Sequence, residues 1–270
     1  MTPPPNLTPF DLAIAHINRV RYHNHRTPEH SDIVSEGIFQ DLLRTCEVFR
    51  RDHEEGVIRK WLNVKSPGDR ERSIDLFVGE VDPSSQTGAP NIALVRFCCE
   101  NKSVITAHRN AVSRFDDLTK VLGSIHAARP QAIIIATVLV GISERCLNVP
   151  DKVRSIFQGT DAEFDQLILP RLSSGDESLY TEFRKAVSKN TQSDIKRTLS
   201  MFRKRFQVRE PAMTHEKKFD HVLLVPVRID NVHPAEVARD NPYDIDIDRE
   251  YQQMLHTICA AYRARLHPMD

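Results

Sequence analysis

The chain has 270 residues, with 37 Lys and Arg against 37 Asp and Glu, and a formal net charge of zero. That balance gives no bulk attraction to polyanions, so a nucleic-acid partner needs a local basic surface. With 40% hydrophobic residues and no composition shift marking a linker, one domain over 1–270 with ample core is expected.

The opening "MTPPPNLTPF" is proline-rich and lacks an apolar h-region, so no secretory leader is expected. The longest apolar run, Ala132 to Val140, is too short to span a bilayer as a helix, so no membrane partner is expected. The five cysteines, Cys46, Cys98, Cys99, Cys146 and Cys259, form no CxxC pair. An odd number without zinc spacing predicts reduced thiols and a cytoplasmic protein.

In chain order, residues 1–10 read as a loose arm and "FDLAIAHINRVRYHN" as a helix. Residues 31–51 read as a second helix, capped by Ser31 or Asp32, with Ile33, Ile38, Leu42, Val48 and Phe49 along one stripe. "VIRKWLNV" and "SIDLFVGEV" read as strands. "DPSSQTGAP" is dense in turn formers, and "NIALVRFCCEN" completes a β-hairpin. Residues 106–128 carry helical spacing at Val112, Phe115, Leu118, Val121, Leu122 and Ile125. "PQAIIIATVLVG" has almost no polar residue, as in a strand covered on both faces.

The second half, 150–270, is richer in helices: "DAEFDQLILPRL", "DESLYTEFRKAVSKN", "SDIKRTLSMFRKRF" and a closing "DREYQQMLHTICAAYRARL". "DHVLLVPVRI" is a further strand, which Pro226 assigns to a sheet edge or strand end. The sum is an α/β (α+β) layer fold with a central mixed sheet flanked by helices.

Side chains alternate along a strand, so Glu100 and Lys102 share a face if the strand extends that far. A hairpin turn centred near Gln86 puts residue 75 roughly opposite residue 98, with Asp75 within one or two positions of Glu100. Two carboxylates and an ammonium then converge. The carboxylates repel one another, and a divalent cation relieves that. Oxygen ligands such as Asp75 and Glu100 suit Mg2+, which keeps several waters and accepts phosphate oxygens. A metal there activates water and neutralises charge on a phosphate, with Lys102 beside it. The chemistry fits phosphodiester hydrolysis. The bland alternative is a surface Asp beside an exposed strand-end Glu/Lys pair.

Asp75 followed by Glu100-Asn101-Lys102 at the end of the next strand resembles the D…ExK signature of the PD-(D/E)xK nuclease superfamily, which includes many type II restriction endonucleases. The strand–turn–strand–helix order over 73–128 and the apolar strand at 132–140 are similar to its core. The likeness covers residues 31–140 as a catalytic core. Ile74 stands where the motif's name has proline, a position that carries no chemistry. The resemblance implies a restriction-endonuclease-like core and Mg2+ as cofactor. It also implies cleavage of double-stranded DNA by a homodimer, and an acidic partner from the preceding helix, Glu36 or, less favoured, Asp41.

Other features carry less. "HNHR" at 23–26 is too contiguous for an HNH site. The acids of "DNPYDIDIDRE" lack EF-hand spacing and suit helix capping. Adjacent Cys98 and Cys99 face opposite sides of a strand and read as core thiols. The basic run 184–209 offers Lys185, Lys189, Lys196, Arg197, Arg203 and Lys204 to a phosphate backbone, or simply to solvent. After the motif strand, Arg109 and Arg114, with His108 and Asn110, suit base edges or structural roles equally.

Overall fold

The computed structural model describes residues 7–19, 29–65, 73–82, 88–105, 108–147, 157, 159–176, 178, 187–214, 217–230 and 233–268. A six-stranded mixed sheet forms its centre, in the order β1-β2-β3-β4-β7-β8. The strands are β1 (Ile58–Lys65), β2 (Ser73–Glu80), β3 (Val95–Val104), β4 (Ile133–Gly141), β7 (His221–Arg228) and β8 (Glu236–Val237). β1, β2 and β3 are antiparallel neighbours, β3–β4–β7 run parallel, and β8 returns antiparallel. A separate two-stranded sheet pairs β5 (Arg145–Leu147) with β6 (Val187–Lys189). Every residue of β4 is buried, as its uninterrupted apolar run requires of a central parallel strand.

Helices cover both faces. α1 (Pro9–Arg19), α2 (Glu29–Thr45), α3 (Glu47–Glu54) and the final α6 (Ile247–Leu266) pack together. Phe49 of α3 meets Phe97 of β3 and Tyr262 of α6 edge-on, at ring centroids 6.4 and 5.2 Å apart. Helices α4 (Ala111–Ala128) and α5 (Gln192–Arg205) form the other group, where Phe115 and Phe206 lie 4.7 Å apart. Residues 161–174 are a further helical stretch. Among the described residues no helix is long and apolar enough to cross a membrane.

Four expectations change. The helix expected over 31–51 breaks at Cys46, whose backbone is extended at φ −120°, ψ 98°. Cys46 is disulfide-bonded to Cys259 of α6 with Cα atoms 5.5 Å apart, so the cysteines are not all reduced. Pro226 sits in β7, which is an interior strand rather than an edge. The two-residue β8 begins pairing just past the proline, and the Pro226 carbonyl accepts from Ala238 N at 2.9 Å. The helix expected over "DESLYTEFRKAVSKN" gives way at its end to β6, while 179–186, with Lys185, lies outside the described residues, as does "HNHR".

A buried ion cluster ties the sheet to the C-terminus. Asp220, just before β7, accepts from Arg209 Nε at 3.1 Å, from Ile134 N at 2.8 Å and from Arg265 of α6. All three charged side chains are fully buried. Removing one member of such a set leaves an uncompensated buried charge, worth about 3–5 kcal/mol.

His126 lies close by, 4% exposed. Burial first, then the Arg209 guanidinium, push its imidazole down from 6.5 to about 4. The folded state therefore holds His126 neutral, and its contribution is complete above pH 6.5 and lost as pH falls towards 4. Urea titrations across that window should show the wild-type chain losing about 3 kcal/mol more than His126→Gln. Parallel pH profiles would remove this imidazole from the acid response.

Candidate active site

The pairing of β2 with β3 runs from Gly79↔Val95 to Leu76↔Cys99, with an irregularity between Val78 and Gly79. The register differs by two residues from the expected one: Cys98 faces Phe77, and Asp75 falls just past the last pair, level with Glu100. Where the ladder ends, the amide of Asn101 donates instead to Asp75 Oδ2 at 2.7 Å. The Asp75 carboxylate thus takes the place of a ladder carbonyl, which fixes it beside β3.

Strand alternation sends Asn101 to the opposite face from Glu100 and Lys102. There its Nδ2 donates to Ser31 O, Ser31 Oγ and Ser35 Oγ of α2 at 3.2, 3.1 and 2.8 Å. Its Oδ1 accepts from Thr137 of β4 at 2.7 Å. A fully engaged asparagine between two functional positions locks the twist and register of this stretch of β3.

Glu100 is fully buried and Asp75 is 9% exposed, so the bland surface reading does not hold. Lys102 Nζ donates to Glu100 Oε2 at 2.6 Å and lies 3.9 Å from Asp75 Oδ2. Burial, joined by the neighbouring Asp75 charge, raises Glu100 to about 8. Burial also raises Asp75, with Asp32 of α2 adding to it. Burial opposes the charge on Lys102, but Glu100 and Asp75 outweigh it and hold its ammonium above the usual lysine range. Lys102 is therefore a proton-bearing cation at neutral pH, not a free base.

The donor set suits a hard divalent ion. Glu100 Oε1 is buried and has no hydrogen-bond partner among the described residues. A second carboxylate stands beside it, and both groups gain if a cation offsets their repulsion. Among the described residues no group of three or more His, Cys, Asp or Glu gathers around a single point, so the cluster offers two carboxyl groups.

Glu36 is not brought to this cluster. It accepts from Lys60 of β1 and from Gln40 at 2.9 Å, which holds it towards β1. Asp41 is likewise engaged, by Arg44 and by Tyr251 Oη at 2.5 Å. The acidic side chain of α2 that does act on the site is Asp32, whose charge raises Asp75. Asp32 was expected as a cap, but α2 begins at Glu29, so Ser31 is buried in its first turns while Asp32 Oδ1 accepts from Asn63 Nδ2 of β1 at 2.9 Å. Thr27-Pro28-Glu29, a capping residue followed by a proline and an acid, is the sequence signal for that earlier start.

Among the expected DNA contacts, Lys196, Arg197, Arg203 and Lys204 are exposed on α5, while Ile195, Thr198, Leu199 and Phe202 bury its other face. Arg109 is exposed and Arg114 pairs with Asp117 at 3.5 Å. Lys189 lies in β6. His108 is buried and structural: Nδ1 meets Thr198 Oγ1 and Nε2 meets the Gly141 carbonyl, each at 2.9 Å. Comparison with protein-family models, curated proteins and solved structures finds no match for this chain.

The raised Glu100 carries a stability consequence. Its charged form is disfavoured in the metal-free fold, so stability is lost as pH rises from 4.5 towards 8. Glu100→Gln in EDTA should stabilise the chain by about 1–3 kcal/mol at the upper end of that range, with the gain vanishing at the lower end. Calorimetric melting checks this; a Gln variant less stable at every pH would contradict the strained carboxylate.

Proposed function

We propose that the chain is a magnesium-dependent phosphodiesterase acting on nucleic acid, a nuclease with a restriction-endonuclease-like core. More narrowly, we read it as a type II restriction enzyme that cleaves double-stranded DNA as a homodimer in the cytoplasm. The observation that carries this reading is the buried cluster of Asp75, Glu100 and Lys102, with Glu100 Oε1 lacking a hydrogen-bond partner among the described residues. A protein gains no stability from two adjacent buried carboxylates, one raised to about 8, so a ligand that needs them is the economical account. The Cys46–Cys259 bridge is an exception to the usual reduced state of cytoplasmic thiols.

Asp75 and Glu100 would hold the magnesium ion, which when bound supplies a lowered water pKa and charge neutralisation at the phosphate. The protein's own contributions are distinct. The Asn101 amide fixes the Asp75 carboxylate, and the Asn101 side chain fixes the strand through α2. Lys102, protonated, donates to the attacking water or to a phosphate oxygen and stabilises the charge that develops in the pentacovalent transition state. Its raised affinity for a proton argues against its acting as the general base. The exposed cations of α5 supply sequence-independent attraction to the phosphate backbone.

Asp75→Ala and Lys102→Ala should each lower DNA cleavage by at least about a thousandfold while leaving folding and gel-shift binding largely intact. Sequencing the ends made by wild-type protein on long unmethylated DNA adds the finer distinction. Identical end sequences support a restriction enzyme; random or structure-dependent ends support a repair, recombination or mobile-element nuclease. Binding without any cutting in magnesium or manganese supports a non-catalytic DNA-binding protein. Full activity in the Lys102→Ala protein would take that residue out of the mechanism.

A further inference from the structure

A cavity of about 310 Å³ opens between the start of α4 and the outer helix α5. It lies off the C-terminal ends of the parallel strands β3 and β4, the side on which open α/β sheets receive ligands. It is separate from the carboxylate cluster, since none of Asp75, Glu100 or Lys102 lines it. Its frame is rigid. His108 bridges Thr198 of α5 and Gly141 of β4. A side chain at Gly141 would place its Cβ 2.5 Å from the Ile105 carbonyl oxygen, so the close approach of the two strand ends requires glycine there.

The lining has three kinds of surface. Ala111, Val112 and Met201 provide apolar walls. Val112 is 51% exposed although it falls on the apolar stripe of α4, so it faces this opening rather than the core. Asn190 lines the cavity, is 8% exposed, and its Nδ2 has no partner among the described residues. Its backbone is pinned by donation to the Glu144 carbonyl at 2.7 Å and by the capping box of Thr191 and Asp194 that follows. A buried amide donor left open in a fixed position is a group awaiting an acceptor. Arg109, Arg197 and Asp194 add two cations and one carboxylate, one net positive charge, and His108 and Thr198 complete the lining.

We propose that this cavity binds one unstacked nucleotide of the substrate, base inward and phosphate outward. The proposal rests on the nuclease reading for the origin of the nucleotide. The flat apolar base lies against Ala111, Val112 and Met201, and a ring nitrogen or carbonyl on its edge accepts from Asn190 Nδ2. The single negative charge of a phosphodiester matches the balance of Arg109, Arg197 and Asp194. A free inorganic anion leaves the apolar walls and the buried amide unused. The site therefore contributes base discrimination outside the chemistry, through a nucleotide held away from the carboxylate cluster.

Calorimetric titration of the full chain in EDTA tests this, using each deoxynucleoside 5′-monophosphate and deoxyribose 5-phosphate as probes. At least one nucleotide should bind about tenfold or more tightly than the sugar phosphate. Asn190→Leu should abolish that advantage, Arg197→Ala should weaken both probes, and Val112→Trp, substituted on the exposed wall, should block the nucleotide if Asn190→Leu fails to fold. Equal affinity for the sugar phosphate, unchanged nucleotide binding in these variants, or no nucleotide binding at millimolar concentration overturns the proposal. Any of these results with wild-type cleavage intact removes the cavity assignment alone. Nucleotide binding by a wild-type chain that never cleaves DNA removes the nuclease reading alone.

Discussion

The repulsion between two carboxylates, enclosed with a single ammonium where the β2–β3 ladder ends, is the constraint around which this fold is arranged. In water such a pair would separate or be screened. Here Glu100 is fully buried and Asp75 nearly so, and the one ammonium of Lys102 balances only one negative charge when both carboxyl groups ionise. The surrounding structure prevents relaxation. Asn101 donates its amide to Asp75 and spends its side chain on Ser31, Ser35 and Thr137, so β3 cannot rotate or slip to release the strain. Local instability maintained by a rigid frame is the signature expected of a site built for a charged ligand rather than for the fold itself.

The rest of the molecule supplies that rigidity. A fully buried β4 lies between β3 and β7, so the strand carrying the cluster is supported along its length by parallel pairing. On one face, the aromatic contacts of Phe49, Phe97 and Tyr262 bind α3 and α6 to the sheet, with the Cys46–Cys259 bridge at the same junction. On the other, α4 and α5 enclose the cavity and turn the cations of α5 outward. The carboxylate cluster and the cavity thus belong to different parts of the molecule, since none of Asp75, Glu100 or Lys102 lines the cavity.

Much of this was legible in the sequence. Apolar runs on either side of a turn-rich segment located β2 and β3, a longer apolar run located β4, and helical spacing located α4. The carboxylate cluster followed from period-two geometry even though the turn-centred estimate misjudged the register by two residues, because a slip of two keeps side chains on their faces. What escaped depends on tertiary contacts. Glu36 was implied by the resemblance as the acid of the preceding helix, yet Lys60 on β1 captures it, and a helix-to-strand partner is invisible to a helix pattern. The break at Cys46 coincides with a disulfide to a residue at the far end of the chain. Pro226 signals an edge, but an interior strand tolerates it where the neighbouring β8 is only two residues long. Asn190 follows a short strand and precedes a helix cap, a position with no sequence mark of an open buried donor.

The central claim, that Asp75 and Glu100 form one dication site, is tested most directly by electron paramagnetic resonance of manganese(II) titrated into the purified chain without DNA. The free-ion signal should be suppressed by wild-type protein, and neither Asp75→Asn nor Glu100→Gln should suppress it, with both variants folded. Equal suppression by all three proteins would contradict the account.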